Sequence, residues 1–268
     1  MDNWQGGRIF QVDSFTSEPF KGNPAGVVFL QGHETEEWMQ NMAGEMNLSE
    51  TAFLLPREGG YAIRFFTPTT EVPLCGHATL ASAHILYEQQ VVKEGDRLNF
   101  FAAAGELVIQ KEADWIEMDF PVYGIRPVPV DPVFAGLVGF KPLEMYKTDY
   151  SFTIAVAESE SQVLEASPRL GELEAHDMGD LLITAKSDRE GSDFVLRCFA
   201  PMHGIDEDPV TGSAHCVLVP LWHEKTGERE FVSRQLSSRG GVLRTEMTGE
   251  RVKISGQGVT VFEGRLSR

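Results

Sequence analysis

Three ionisable side chains in this sequence lie where local structure would tune them for proton transfer: Glu50, His77 and Asp208. Glu50 follows a predicted helix over residues 35–47 and precedes the apolar run 52–55. The negative end of a helix dipole disfavours a carboxylate, and desolvation beside an apolar strand does the same. Both effects favour proton exchange by Glu50 near neutral pH. Taken alone, a glutamate in such a place is more often a solvated surface residue.

The helix before Glu50 carries signals at both ends. Thr35 can cap its N-terminus, and Asn47 is a natural terminator. Between them, large apolar residues recur at helical spacing, at Trp38, Met39, Met42 and Met46. The sequence therefore predicts that a helix ends just before Glu50.

His77 and Asp208 each lie close to a predicted helix start. His77 is one residue into the predicted helix 76–90, where the dipole favours the neutral imidazole, which can both donate and accept a hydrogen bond. Asp208 precedes Pro209, a residue that fits a first helical turn. Asp208 can therefore simply cap that helix, and a cap that faces a cleft can also hold a histidine or a substrate hydroxyl.

The two helix starts are also candidate anion sites. Each begins with a glycine, Gly76 or Gly212, after a polar loop that contains proline. Free amides of a first helical turn, together with the dipole, attract negative charge, and glycine allows a ligand to approach the backbone. If two halves pack around a pseudo-twofold axis, both helix starts would meet at one cleft and bind a substrate carboxylate there.

An internal repeat supports such halves. Three segments recur in the same order at nearly the same offset. The alternative is two unrelated segments that look alike only because strands use similar residue types. The matches are AIRFFTP (62–68) with VLRCFAP (195–201) at an offset of 133, Gly76 with Gly212 at 136, and the predicted hairpins 105–121 and 241–257 at 136. Each half is therefore predicted to contain a strand, a helix that begins with glycine, and a hairpin, in that order.

The predicted central helices, 76–90 and 212–225, are apolar around most of their circumference, so we expect strands to wrap around them. Pro220 should kink or shorten the second helix. We predict an α+β fold with domains at 1–122 and 126–257, joined by a proline-rich linker within 121–132. The last predicted strand, 259–266, can return to the first half.

Bulk composition narrows the function classes. The net charge is −17 and no cluster of lysine and arginine is visible, which argues against nucleic-acid and anionic-lipid partners. The three cysteines are widely spaced, with no CxxC pair, which disfavours a disulfide framework or a structural zinc site. No signal peptide or membrane span is predicted. A cytoplasmic protein that acts on a small molecule is expected.

Four segments resemble, in order, the signatures of the PhzF-like phenazine-biosynthesis family. They are FKGNPAGVV (20–28), NLSETAF (47–53), PLCGHAT (73–79) and DEDPVTGSAH (206–215). The resemblance implies the diaminopimelate-epimerase-like fold, with two pseudo-symmetric halves, each a curved, mostly antiparallel sheet around a central helix. It also implies a cofactor-independent isomerase, similar to trans-2,3-dihydro-3-hydroxyanthranilate isomerase, with no metal, and a homodimer.

The resemblance assigns roles to six residues. Glu50 would remove a proton beside a conjugated system and return it elsewhere on the substrate, and His77 and Asp208 would orient the substrate. The residues whose amides would bind its carboxylate are Gly76, Gly212 and Ser213. The motifs define the proton-transfer residues but not the identity of the substrate.

Two alternatives remain. Related amino-acid epimerases and racemases use one cysteine at each helix start, and Cys75 occupies the first such place. Thr211 occupies the second, and Cys216 should be packed inside the helix, so two-thiol chemistry is disfavoured. Cys75 itself is interpreted as a small buried residue. The other alternative is a non-catalytic protein on the same fold, which binds small carboxylates or has a regulatory role, because fold alone does not imply function.

Overall fold

Strands dominate the computed structural model, which describes residues 4–176 and 178–267. The strands are β1 (Arg8–Ser14), β2 (Asn23–Phe29), β3 (Glu50–Arg57), β4 (Gly60–Phe66), β5 (Glu71–Val72), β6 (Leu98–Ala102), β7 (Gly105–Glu112), β8 (Trp115–Pro121), β9 (Ile125–Val128), β10 (Glu144–Thr148), β11 (Phe152–Val156), β12 (Asp180–Lys186), β13 (Phe194–Ala200), β14 (Ile205–Asp208), β15 (Glu230–Gln235), β16 (Gly241–Thr248), β17 (Arg251–Gly256) and β18 (Gly258–Arg265). The helices are α1 (Glu36–Met46), α2 (Gly76–Glu88), α3 (Phe134–Val138), α4 (Glu160–Glu165), α5 (Leu170–Leu173) and α6 (His215–Thr226).

The chain forms two compact units, one of residues 1–119 with 255–268 and one of residues 120–254. The proline-rich stretch 121–132, interpreted above as a linker, contains β9, which pairs with β10 of the second unit. Proline has no backbone N–H, so it is compatible with a strand that donates few hydrogen bonds to its neighbours.

In the first unit, β1 pairs with β2 antiparallel, β2 with β3 parallel, β3 with β4 antiparallel, β4 with β6 parallel, and β6 with β7 antiparallel. Strand β7 continues into the antiparallel hairpin with β8, as predicted for this segment. The last strand, β18, pairs antiparallel with β1, which places it in this unit. The sheet is therefore mixed, and most of its pairings are antiparallel.

The second unit repeats this series of strand directions. Strand β10 pairs with β11 antiparallel, β11 with β12 parallel, β12 with β13 antiparallel, β13 with β15 parallel, and β15 with β16 antiparallel. Strand β9 pairs with β10 antiparallel, as β18 does with β1 in the first unit. The predicted α+β class and the pseudo-symmetric halves are confirmed.

A matching ion pair ties corresponding strands together in each unit. Arg64 on β4 donates from Nε and from one terminal nitrogen to the two carboxylate oxygens of Glu71, at 2.7 and 2.6 Å. Arg197 on β13 makes the same two-pronged contact with Glu207 on β14, at 2.7 and 2.9 Å. Each pair anchors the chain just before a candidate site, because Glu71 precedes α2 and Glu207 precedes Asp208.

The central helices are buried, as their apolar circumference predicts. Helix α2 packs on β1, β2, β3 and β18. Its buried residues are His77, Ala78, Thr79, Leu80, Ala81, Ser82, Ala83, Ile85, Leu86 and Tyr87. Helix α6 packs on β16, and its Trp222 stacks on Phe194 with ring centroids 5.6 Å apart. In both units the helix forms part of the core.

Pro220 does not end α6, which continues to Thr226, so the prediction of a shortened helix is wrong. Proline has no N–H to offer the carbonyl four residues earlier, which belongs to Cys216. That carbonyl accepts a hydrogen bond of 3.0 Å from the N–H of Tyr123 instead. A backbone donor from elsewhere in the unit therefore compensates for the proline.

Within the described residues, no helix has the length and apolar character needed to cross a membrane.

Candidate active site

Glu50 is positioned by α1 and β3. Thr35 caps α1 by accepting a hydrogen bond of 3.2 Å from the N–H of Trp38, and Asn47 ends the helix in the left-handed conformation, with φ of 49°. Both predicted helix signals are confirmed. Glu50 then opens β3, where it pairs with Ala25 of β2.

The environment of Glu50 is enclosed. Its side chain is 17% exposed, and Thr51, Ala52 and Phe53 after it are buried. The interpretation of Glu50 as a solvated surface residue is therefore wrong. A partly buried carboxylate feels neighbouring charges and dipoles more strongly than an exposed one, because water screens it less.

His77 lies in the first turn of α2 and is held there by its backbone. Its carbonyl accepts a hydrogen bond of 2.8 Å from the hydroxyl of Ser14 on β1. The residue is only 8% exposed, and this burial lowers the pKa of His77 to about 4. The imidazole is therefore neutral at pH 7, as expected from its place at the helix start.

The ring of His77 lies between a thiol and a carboxylate. Its Nδ1 is 3.4 Å from Sγ of Cys75, and its Nε2 is 3.3 Å from Oε2 of Glu50. Among the described residues, Nε2 makes no hydrogen bond, since the approach to Glu50 lacks hydrogen-bond alignment. One ligand atom from each of the three residues lies within 4.8 Å of the others. We call this group the Glu50–Cys75–His77 cluster.

Cys75 was interpreted as a packed apolar residue, and the structure corrects that in part. It is buried, but its sulfur contacts the imidazole. Cys75 is the N-cap of α2 and has an extended backbone, with φ of −144° and ψ of 114°. Gly76 follows it as the first helical residue, whose N–H belongs to the amides without an intrahelical acceptor.

Asp208 occupies the end of β14 in the second unit. Its Oδ2 accepts a hydrogen bond of 2.6 Å from the hydroxyl of Thr211. Gln235 joins the same network, because its side-chain amide donates to the carbonyl of Asp208 at 2.6 Å and its Oε1 accepts from the N–H of Thr211 at 2.8 Å. The helix-cap interpretation of Asp208 is wrong, since α6 begins only at His215.

Gly212 and Ser213 form a turn before α6 and do not lie in its first turn. The carbonyl of Gly212 accepts from the N–H of His215 at 3.0 Å, and that of Ser213 accepts from the N–H of Cys216 at 3.1 Å. Gly212 is buried and Ser213 is exposed. The prediction of a helix from residue 212 is therefore wrong by three residues.

His215 holds this turn in place. Its Nδ1 lies 3.1 and 3.2 Å from the carbonyls of Thr211 and Gly212, and its Nε2 lies 2.6 Å from the hydroxyl of Ser233. Burial lowers the pKa of His215 to about 4, so the ring is neutral at pH 7. Sequence reasoning missed His215 and Gln235, since no local pattern links a helix residue to the following strands.

The repeat makes corresponding positions of the two units comparable. Glu50 opens β3, and Asp180 opens β12, the corresponding strand of the second unit. Asp180 is buried and accepts a hydrogen bond of 3.0 Å from the hydroxyl of Ser151. Cys75 and His77 correspond to Thr211 and Ser213, at the offset of 136 residues. The second unit thus has hydroxyls where the first has a thiol and an imidazole.

The remaining cysteines do not supply a second reactive thiol. Cys216 lies inside α6, where burial raises its pKa to about 12. Burial, with the carboxylates of Asp208 and Asp180 nearby, also raises the pKa of Cys198. Both thiols therefore stay protonated at neutral pH, which disfavours the two-thiol epimerase alternative.

Comparisons with known proteins agree with this architecture. Two relatives named as uncharacterized isomerases, from Halalkalibacterium halodurans and Pseudomonas aeruginosa, are 45% and 41% identical. The matches cover 96% of this chain and 97% of each relative. The structure of a PhzF family phenazine biosynthesis protein from Enterococcus faecalis superposes with a TM-score of 0.93 at 38% identity, over 97% of this chain and 99% of that one.

A more distant structure shares the fold. A hydroxyproline epimerase from Agrobacterium vitis matches with a TM-score of 0.62 at 12% identity, over 97% of this chain and 92% of that one. The fold is therefore α+β and epimerase-like, and the relatives above that are named as isomerases place the chain in that class of enzyme. Residues 12–264 match the family described as phenazine biosynthesis-like protein, PhzC-PhzF, and the chain belongs to this family.

Proposed function

We propose that this isomerase moves a proton within a small carboxylate substrate, without a cofactor, and that Glu50 is the acid–base group. One observation carries the proposal: a partly buried carboxylate lies 3.3 Å from a buried neutral imidazole whose Nε2 makes no hydrogen bond among the described residues. A buried polar atom in that state suits a ligand that supplies the missing partner.

The proposed reaction has two proton transfers. The ionised Glu50 accepts a proton from a carbon beside the substrate's conjugated system, and the electron pair is delocalised over that system. The protonated Glu50 then returns the proton to another atom of the substrate, so no net proton is gained or lost. A positioned acid–base group of this kind contributes about 10²–10⁴-fold in rate.

His77 and Asp208 are proposed to orient the substrate. Neutral His77 can present one N–H or one lone pair through Nε2. Asp208 is held by Thr211 at 2.6 Å, and a carboxylate can accept several hydrogen bonds, including one from a substrate hydroxyl or amine. The backbone amides of Gly76, Gly212 and Ser213 are proposed to bind the substrate carboxylate, which suits a chain whose net charge of −17 offers little positive charge elsewhere.

The substrate class follows from the resemblance. We propose a cyclic or amino-acid carboxylate with an acidic C–H beside a conjugated system, of the type of trans-2,3-dihydro-3-hydroxyanthranilate. Incubation with that compound and a panel of related carboxylates in D₂O should show isomerisation or deuterium incorporation by NMR. If no compound of the panel shows isomerisation or deuterium incorporation, the result would favour a protein that only binds carboxylates.

The residue test is Glu50→Gln. Glutamine keeps the size of the side chain but cannot exchange a proton, so turnover should fall about 10²–10⁴-fold while substrate affinity changes little. Glu45→Gln is the matched control, since Glu45 is an exposed glutamate of α1 and should leave the rate unchanged. Near wild-type turnover by Glu50→Gln would reject this mechanism.

A homodimer and a cytoplasmic location are further proposals from the resemblance and from the cysteines. Sedimentation velocity at micromolar concentration should give the mass of two chains, and a monomer there would contradict the dimer.

A further inference from the structure

We propose that the Glu50–Cys75–His77 cluster is also a binding site for one thiophilic divalent cation, represented by Zn²⁺, whose binding blocks the acid–base group. The binding stands on the geometry of the cluster alone. Its inhibitory effect rests on the function proposed above.

The donor set suits such an ion. The cluster offers a thiol sulfur, an imidazole nitrogen and a carboxylate oxygen, the three ligand types that Zn²⁺ takes in proteins. Three protein ligands with a fourth position open to water are typical of accessible zinc sites, whereas structural sites use four protein ligands. Magnesium and calcium prefer oxygen-only ligands, so the sulfur discriminates against them.

The distances are close to those of a coordinated ion. Zinc bonds of 2.0–2.3 Å in a tetrahedron place ligand atoms about 3.3–3.8 Å apart. The three candidate ligand atoms lie within 4.8 Å of one another, and Sγ of Cys75 is already 3.4 Å from Nδ1 of His77. Cys75 lies at Nδ1 of His77 and Glu50 lies at Nε2, so a side-chain rotation must bring both ligands to one ring nitrogen when the ion binds.

The electrostatic state of the cluster also fits. An unprotonated imidazole nitrogen, a thiolate and a carboxylate are the forms in which these three side chains ligate a metal ion. Binding displaces the thiol proton of Cys75 to solvent, so one Zn²⁺ enters and one proton leaves. The resulting thiolate and the Glu50 carboxylate together neutralise the two positive charges. Nε2 of His77 makes no hydrogen bond among the described residues, so a ligand atom there would meet a buried polar group that lacks a partner.

The corresponding positions of the second unit provide an internal control. Thr211 and Ser213 replace the thiol and the imidazole there, and neutral hydroxyls are poor zinc ligands. The cysteine of α6, Cys216, is buried in the helix. We therefore expect one ion per chain, bound in the first unit.

Cobalt titration of the full chain, after treatment with a chelator, tests the site directly. One equivalent of Co²⁺ should produce an ultraviolet sulfur-to-cobalt charge-transfer band, which Zn²⁺ should abolish by displacement. Cys75→Ser should remove the band and weaken binding by at least about 100-fold, since even the loss of an outer partner costs 10–100-fold in affinity. Cys216→Ala is the matched control and should keep both the charge-transfer band and the wild-type affinity for the metal ion.

The wild-type spectrum alone can overturn the site. Absence of the charge-transfer band at saturating Co²⁺, or its loss in Cys216→Ala with retention in Cys75→Ser, would reject it. Inhibition is tested separately: Zn²⁺ should stop deuterium incorporation, and a chelator should restore it. If no substrate exchanges without metal, the proposed function fails, yet the cobalt titration still decides the metal site. If exchange continues with Zn²⁺ bound, only the inhibition is rejected.

Discussion

The two units share a scaffold but differ in the side chains at corresponding positions. Both have the same series of parallel and antiparallel pairings, a buried central helix and a two-pronged arginine–glutamate pair. The first unit has Cys75 and His77 at the start of α2, and the second has Thr211 and Ser213 in the turn before α6. The comparison teaches that backbone architecture and ion pairs repeat, whereas the thiol and imidazole of the first unit have hydroxyls at the corresponding positions of the second.

The two buried histidines show the same contrast. Burial lowers the pKa of both to about 4, so both rings are neutral. Each nitrogen of His215 lies close to a carbonyl or hydroxyl of its own unit, whereas Nε2 of His77 makes no hydrogen bond within the described residues. Burial alone therefore does not distinguish the two rings, whereas the hydrogen bonds of their nitrogens do.

The largest expected effect concerns the division of roles between proton transfer and orientation. His77→Ala and Asp208→Asn should each raise KM and lower kcat, with kcat/KM reduced about 10²-fold, because a misplaced substrate loses about that much rate. Glu50→Gln should lower kcat alone. Steady-state kinetics on the identified substrate measure both parameters. An unchanged KM in both variants would show that these residues do not orient the substrate.

The repeated ion pair allows a matched comparison of stability. The side chain of Arg197 is 14% exposed and also donates to the carbonyls of Val163, Leu164 and Ala166, whereas that of Arg64 is 37% exposed. Arg197→Met should lower the free energy of unfolding by about 3 kcal/mol, since the substitution leaves the carboxylate and carbonyl groups that Arg197 contacts without their donor. Arg64→Met should cost about 1 kcal/mol or less.

Urea denaturation, compared at similar m-values, measures both variants. Equal losses would mean that the additional carbonyl contacts of Arg197 contribute nothing to stability.

The last expected effect concerns the pH dependence of stability and appears only below neutral pH. His215 has a folded-state pKa of about 4, below the ordinary 6.5, so the unfolded chain binds its proton first as the pH falls. The stability contribution is present above pH 6.5 and is lost between about 6.5 and 4, by up to about 1.4 kcal/mol per pH unit. His215→Gln should therefore show a shallower fall in urea midpoint over this range. Parallel curves for the variant and the wild type would contradict the low pKa.

Features with local causes were predictable from the sequence. The caps of α1 at Thr35 and Asn47 depend on side-chain and backbone chemistry within a few residues, and both were predicted correctly. The buried central helices followed from their apolar circumference. The hairpin of β7 and β8 followed from its alternating residues around a polar turn.

Local signals failed where distant groups decide the backbone. Gly212 resembles a helix start, but His215 and Gln235 hold residues 211–213 in a turn through contacts that cross from α6 and β15. The freed carbonyl beside Pro220 is satisfied by Tyr123, which lies far away in sequence. No periodic pattern in the sequence indicates such partners.

The sequence by itself determined the residue types at the two helix starts, the repeated scaffold and the place of Glu50 after a helix. The tertiary structure decided which of these side chains meet. Cys75 and His77 are two positions apart, a spacing that does not bring side chains together on a helix. They meet because Cys75 is an extended N-cap, and Glu50, which lies 25 residues before Cys75, joins them from β3. Burial of the three groups in one unit then sets their chemistry, because desolvation is a property of the packed fold and not of the chain.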